Sequence, residues 1–68
     1  MTKVLKIEGM SCAHCSARVE KVLNAIEGVS AKVNLETKEA FIELKNDIAN
    51  EVLKKVVEDA GYEVVGIQ

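Results

Sequence analysis

The chemistry of this chain is concentrated in one heptapeptide, Gly9-Met10-Ser11-Cys12-Ala13-His14-Cys15, which holds both cysteines and the only histidine. Two thiols three positions apart can close on one small partner, a metal ion or each other in a disulfide. The residues that follow have helical periodicity, so Cys15 falls in a first helical turn and Cys12 in the loop just ahead of it. At a helix start the free N–H groups and the positive end of the dipole favour an anion. That lowers a thiol's pKa and supplies thiolate, the metal-binding form, near neutral pH. Soft thiolates select Cu(I), Zn(II) or iron–sulfur clusters over hard ions. A structural zinc or a cluster usually takes four protein ligands, whereas this loop offers two thiols with a histidine between them. Cu(I) accepts two sulfurs in a near-linear arrangement, so the ligand count favours it. His14 is expected to point outward, as a solvated neighbour that tunes local pKa values rather than as a third ligand. Met10 has a soft thioether, but its expected role is core support beneath the loop.

The elements that must hold this loop can be read from the apolar pattern. Lys3 to Glu8 is a short strand carrying Val4, Leu5 and Ile7, and Gly9 permits the change of direction into the loop. From about Ala13 to Ile26, apolar residues recur at Cys15, Val19, Val22, Leu23 and Ile26, the spacing of one helical face. Cys15 shares that inward stripe and is expected to be the less exposed thiol. Ser11 is expected to cap the helix through its hydroxyl, and Gly28 to stop it. Val29, Ala31, Val33 and Leu35 then alternate with polar residues, Glu36-Thr37-Lys38 makes a turn, and Ala40, Ile42 and Leu44 alternate in a second strand of a hairpin. Phe41 falls on the outer face in this register. Asn46 and Asp47 offer acceptors for a second helix start, with Ile48, Val52, Leu53, Val56 and Ala60 as its buried stripe. Gly61 closes that helix and Tyr62 to Ile67 is a last strand. The order βαββαβ predicts a two-layer α+β sandwich, with both helices under one face of an antiparallel sheet.

With 68 residues, one domain spanning 1–68 is all the chain has room for, and a chain of this size buries only about 60% of its unfolded surface. Hydrophobic residues at 49% and charged residues at 29% describe a folded domain rather than a disordered one. A net charge of −2 with one Tyr and one Phe argues against nucleic-acid binding, for lack of both basic excess and a stacking surface. Lys6 and Glu8 interrupt the apolar run a signal peptide would need, and no stretch approaches the roughly 18 apolar residues of a membrane span. The expected location is the cytoplasm, where a close thiol pair serves metal binding or redox chemistry more often than structure.

The heptapeptide resembles the GMxCxxC signature of heavy-metal-associated domains, the small ferredoxin-like modules of copper chaperones and of the N-terminal arms of copper-transporting P-type ATPases. The likeness extends along the chain through Gly28-Val29, Ala40 and Ala60-Gly61-Tyr62. It implies a sheet of order 4-1-3-2 and Cu(I) held by Cys12 and Cys15. It also implies Met10 turned into the core, Tyr62 beside the metal, and Ser11 and His14 in its immediate surroundings. A tyrosine at that late position and a histidine between the cysteines resemble the bacterial soluble chaperones. The implied function is that of a non-enzymatic Cu(I) carrier, a monomer without metal and open to bridging by copper. It would hand the ion by thiolate exchange to a copper-transporting ATPase or a copper-responsive repressor. His14, Arg18 and Lys21, at i, i+4 and i+7, form a basic edge that would steer docking onto an acidic partner surface.

Two rivals follow from the same residues. One is the equivalent domain at the N-terminus of a copper ATPase; the missing linker after Ile67 favours the free-standing chaperone. The other is a thiol-disulfide oxidoreductase, which also uses CxxC at a helix start. The thioredoxin type needs a longer chain, an aromatic residue before the first cysteine and a cis-proline, whereas this chain has Ser11 there and no proline.

Overall fold

In the computed structural model, which describes residues 1–68, the chain runs β1(Thr2–Glu8), α1(Ala13–Asn24), β2(Val29–Asn34), β3(Glu39–Leu44), α2(Asn50–Asp59) and β4(Glu63–Ile67). The sheet order is β2-β3-β1-β4 with every pairing antiparallel, which is the expected 4-1-3-2 read from the other edge. Alternation decides what each strand buries. Leu5 and Ile7 of β1, Ala40, Ile42 and Leu44 of β3, Val29 and Ala31 of β2 and Val64 of β4 turn toward the helices. Val19 and Leu23 of α1 and Leu53 and Val57 of α2, each pair at i, i+4, close the layer from above. Met10 completes this core at 2% exposure. Phe41 stands on the open face of the sheet, 48% exposed, as its register requires. No helix is long and apolar enough to cross a membrane.

The topology gathers three connections at one end. β1 runs up to Gly9, β3 starts opposite Lys6, and β4 starts opposite Glu8. The Gly9–Cys12 loop therefore shares its end with the β2–β3 turn and with the Ala60–Tyr62 connection. Both chain termini lie at the other end, where Val4 and Gln68 exchange backbone hydrogen bonds of 2.8 Å. The β2–β3 turn is built by Asn34, whose Oδ1 accepts the N–H groups of Glu36 and Thr37.

Two boundaries differ from the sequence expectation, each through contacts outside the element itself. α1 ends at Asn24 rather than Ile26, because the Asn24 side-chain amide bonds Ala31 of β2 and fixes the helix end against the sheet. Gly28, at φ +84°, then turns the chain three residues after the C-cap Ala25. α2 begins at Asn50, not at Asn46 or Asp47, and has Ala49 as an N-cap with no side-chain bond. Asn46 instead packs on the α1–β2 turn, its Nδ2 only 2.9 Å from where a Cβ on Gly28 would stand. Lys3 bonds both the Ile48 carbonyl and the Asn50 side chain, tying the start of α2 to β1. With the helix phased from Asn50, Val57 takes the core position and Val52 is left 44% exposed.

Candidate metal centre

Cys12 is the N-cap of α1, with extended backbone at φ −156° and ψ 172°, and its carbonyl accepts the N–H groups of Cys15 at 3.0 Å and Ser16 at 3.2 Å. The backbone of the loop is thereby locked while the Cys12 thiol remains exposed. Cys15 sits in the first turn, half-buried against the core beside Val19 and Leu23, as the inward stripe requires. The two sulfurs are 3.6 Å apart. That exceeds an S–S bond of about 2.0 Å, and metal–thiolate bonds of about 2.3 Å let both sulfurs reach one ion. Both thiols are free. Nowhere in the chain do three His, Cys, Asp or Glu side chains converge, so the two thiols are the whole of the donor set.

The loop is electrostatically prepared for an anion. The first turn of α1 contains no acidic residue and Cys12 makes no side-chain cap, so the positive end of the helix dipole is not offset by a carboxylate beside the thiols. The Cys15 thiol is lowered from its ordinary 9.0 to about 6. The Tyr62 hydroxyl contributes most, by donating to the ionised sulfur, followed by the Ser11 N–H and the Cys12 thiol, against an opposing effect of burial. Tyr62 itself is pushed up, first by that same hydrogen bond to Cys15 and then by burial, and the nearby Arg18 charge partly offsets the rise.

Each residue singled out in the sequence can now be located. Met10 is in the core beneath the loop, as expected of a support residue. Ser11 is exposed and acts through its backbone N–H; the expected hydroxyl cap is absent, because the cap position belongs to Cys12. His14 is exposed on the first turn, and Arg18 and Lys21 continue an exposed basic edge along α1. Tyr62 lies next to Cys15. Gly9 lies under it: at φ +97° it adopts a conformation side chains avoid, and a Cβ there would stand in ordinary contact with the Tyr62 ring at 3.4 Å. Local pattern alone did not reveal that Gly9–Tyr62 contact, since the two residues belong to connections at opposite ends of the sequence.

Residues 4–63 match the sequence profile described as the heavy-metal-associated domain. The chain belongs to this family. Among relatives of this heavy-metal-associated domain, the copper chaperone CopZ of Staphylococcus aureus is 45% identical over 65 residues, covering 93% of this chain and 96% of the relative. A solved structure of a CopZ metallochaperone superposes with a TM-score of 0.89 at 43% identity, covering 96% of this chain and all of that one (100%). A copper-binding domain from HMA7, a P-type ATPase, superposes at 0.86 with 34% identity over 100% of this chain and 99% of its own. Oxidized MerP from Ralstonia metallidurans CH34 reaches 0.88 at 31% identity, over 100% of this chain and 96% of its own. These relatives match the ferredoxin-like architecture of the heavy-metal-associated domain, and its chaperone relatives are carriers, not enzymes.

Proposed function

We propose that the chain is a cytoplasmic copper metallochaperone in which Cys12 and Cys15 hold one Cu(I) between two thiolates. The ion then passes by thiolate exchange to a copper-transporting P-type ATPase or a copper-responsive repressor. The observation that carries this reading is the donor set: two sulfurs 3.6 Å apart, one exposed and the other half-buried, with no third His, Cys, Asp or Glu side chain assembled around them. Two thiolates satisfy Cu(I) but leave zinc short of its usual four ligands. A near-linear complex with bonds of about 2.3 Å needs the sulfurs about 4.6 Å apart. Rotation of the exposed Cys12 side chain supplies that opening while its anchored carbonyl holds the backbone.

The mechanism follows from the inequality of the two thiols. Cys15 is fixed by packing and ionised near neutral pH, so it retains the ion. Cys12 is open to solvent, so an acceptor thiolate approaches on its side and makes a three-sulfur intermediate before one donor bond breaks. His14 stays solvated beside the pair, and Met10 and Tyr62 hold the loop from below and beside it. The relatives described as copper chaperones support the choice of ion and role. The full-length match to a P-type ATPase domain favours a second reading, the same Cu(I) site as part of a copper ATPase.

The test is a Cu(I) titration against a colour-forming chelator, with native mass spectrometry of the loaded species. The parent is expected to hold one Cu(I) per chain, and Cys12→Ser and Cys15→Ser to weaken it by more than about 100-fold. A double serine variant that retains Cu(I) as tightly as the parent overturns the assignment. Transfer to an isolated ATPase metal-binding domain, absent for an unrelated thiol protein, tests the delivery step.

A further inference from the structure

The exposed edge of a sheet is a template for pairing with another chain. β2 forms one edge here, and it bonds β3 in unbroken register from Val29 opposite Leu44 to Asn34 opposite Glu39. Alternate residues, Val29, Ala31 and Val33, therefore turn their N–H groups to the free side. None of the three is left open. The Val29 N–H donates to the Ile26 carbonyl at 3.1 Å. The Ala31 N–H donates to Asn24 Oδ1 at 2.7 Å and the Ala31 carbonyl accepts from Asn24 Nδ2 at 3.1 Å, the reciprocal pair a neighbouring strand residue would make. The Val33 N–H donates to Glu20 Oε2 at 3.1 Å. Glu20 and Asn24 lie one turn apart on α1, so a single helix face supplies both side chains.

The opposite edge has other protection. β4 is only five residues long, and its pairing with β1 shifts register between Lys6 and Ile7; short length and irregular pairing both discourage strand addition. β2 has six residues in regular register and one charged side chain, Lys32. Apart from that single lysine, the length and register of the strand would allow a second β2 to lie antiparallel against it about a two-fold axis.

We infer that Glu20 and Asn24 are edge guards, which occupy the outward Ala31 and Val33 N–H groups and the Ala31 carbonyl of β2 and so keep a second copy of this chain from pairing there. The residues concerned are separate from the thiol loop, so the inference stands independently of the metal chemistry.

Amide hydrogen exchange of the full chain by NMR, with sedimentation of variants, tests it. In the parent the Ala31 and Val33 amides are expected to be protected although they lie on an edge. Asn24→Ala should accelerate exchange at Ala31, and Glu20→Ala at Val33, each by about 5- to 30-fold. The double variant should keep its strand content and form dimers as concentration rises, while Glu20→Gln, which retains an acceptor, stays monomeric. A folded double variant that remains monomeric over the same concentrations overturns the inference. Should the double variant not fold, the single variants decide: unchanged exchange at both amides overturns it equally.

Discussion

Replacing Tyr62 with Phe keeps the ring that packs beside Gly9 and removes one hydroxyl, the group that contributes most to the lowered Cys15 pKa. With that thiol at about 6 rather than 9.0, thiolate outnumbers thiol by about 10 to 1 at pH 7, against about 1 to 100 for an unperturbed group. Tyr62→Phe should move the midpoint up toward 9.0, stopping short of it because the Ser11 N–H and the Cys12 thiol still favour the ionised sulfur. Thiolate absorbance in the ultraviolet and the pH dependence of alkylation both read this midpoint. Cu(I) binding must follow, since a proton and the ion compete for the same sulfur. The Cys15 proton should begin to compete with the ion only as pH falls to about 6 in the parent, whereas in the variant that competition should begin at higher pH. A parent midpoint near 9.0, or a variant indistinguishable from the parent, would refute the reasoning.

The same shift fixes how the stability of the metal-free protein depends on pH. Cys15 is depressed in the folded state, so its contribution is complete above the unfolded value of 9.0 and is lost as pH falls toward about 6. The metal-free parent should therefore melt at a lower temperature at pH 6 than at pH 9 through this group. Tyr62→Phe should flatten that slope, and a scan of Tm against pH for both proteins checks it.

Met10→Ala removes a side chain that is 2% exposed beneath the loop and should cost about 2–5 kcal/mol in denaturant unfolding. It should leave the stoichiometry of one Cu(I) intact, which separates support of the loop from ligation. Arg18→Glu combined with Lys21→Glu reverses the exposed basic edge of α1 and should change stability by no more than about 0.5 kcal/mol. It should slow copper transfer to an acidic acceptor and invert the salt dependence of the rate; an unchanged rate at every salt concentration would reduce the edge to solvation.

What was legible in the sequence was whatever a local period encodes. Leu5 and Ile7, Ala40 and Ile42, and Val19 and Leu23 repeat at spacings that only strands or helices explain. Their order gave the sandwich, the outward Phe41, and the inequality of Cys12 and Cys15. The element ends were not legible, because long-range side-chain contacts set them. Asn24 stops α1 by bonding Ala31, and Asn46 is held on Gly28 instead of capping α2. Ser11 was a reasonable cap by residue type, yet the extended Cys12 took the position and makes no side-chain cap bond. The Tyr62–Cys15 contact has no local signature at all. Family resemblance alone points to it, and its physical cause is the topology, which brings the Gly9–Cys12 loop and the Ala60–Tyr62 connection to one end of the sheet.

These contacts divide the labour between backbone and side chains in a way that suits a carrier. A resident metal is best held by a full ligand set, which also makes release slow. Here the backbone does most of the positioning: the Cys12 carbonyl anchors the first turn, and the Ser11 N–H joins the Tyr62 hydroxyl in charging Cys15. On the proposed function, two sulfurs alone would hold the ion, because the thiolate is prepared before the ion arrives and no folding has to accompany capture. The coordination position that a third ligand would fill stays available to an incoming thiolate. In the proposed carrier, tight binding and fast transfer would share one cause, a loop already organised for an anion whose exposed sulfur remains free to turn.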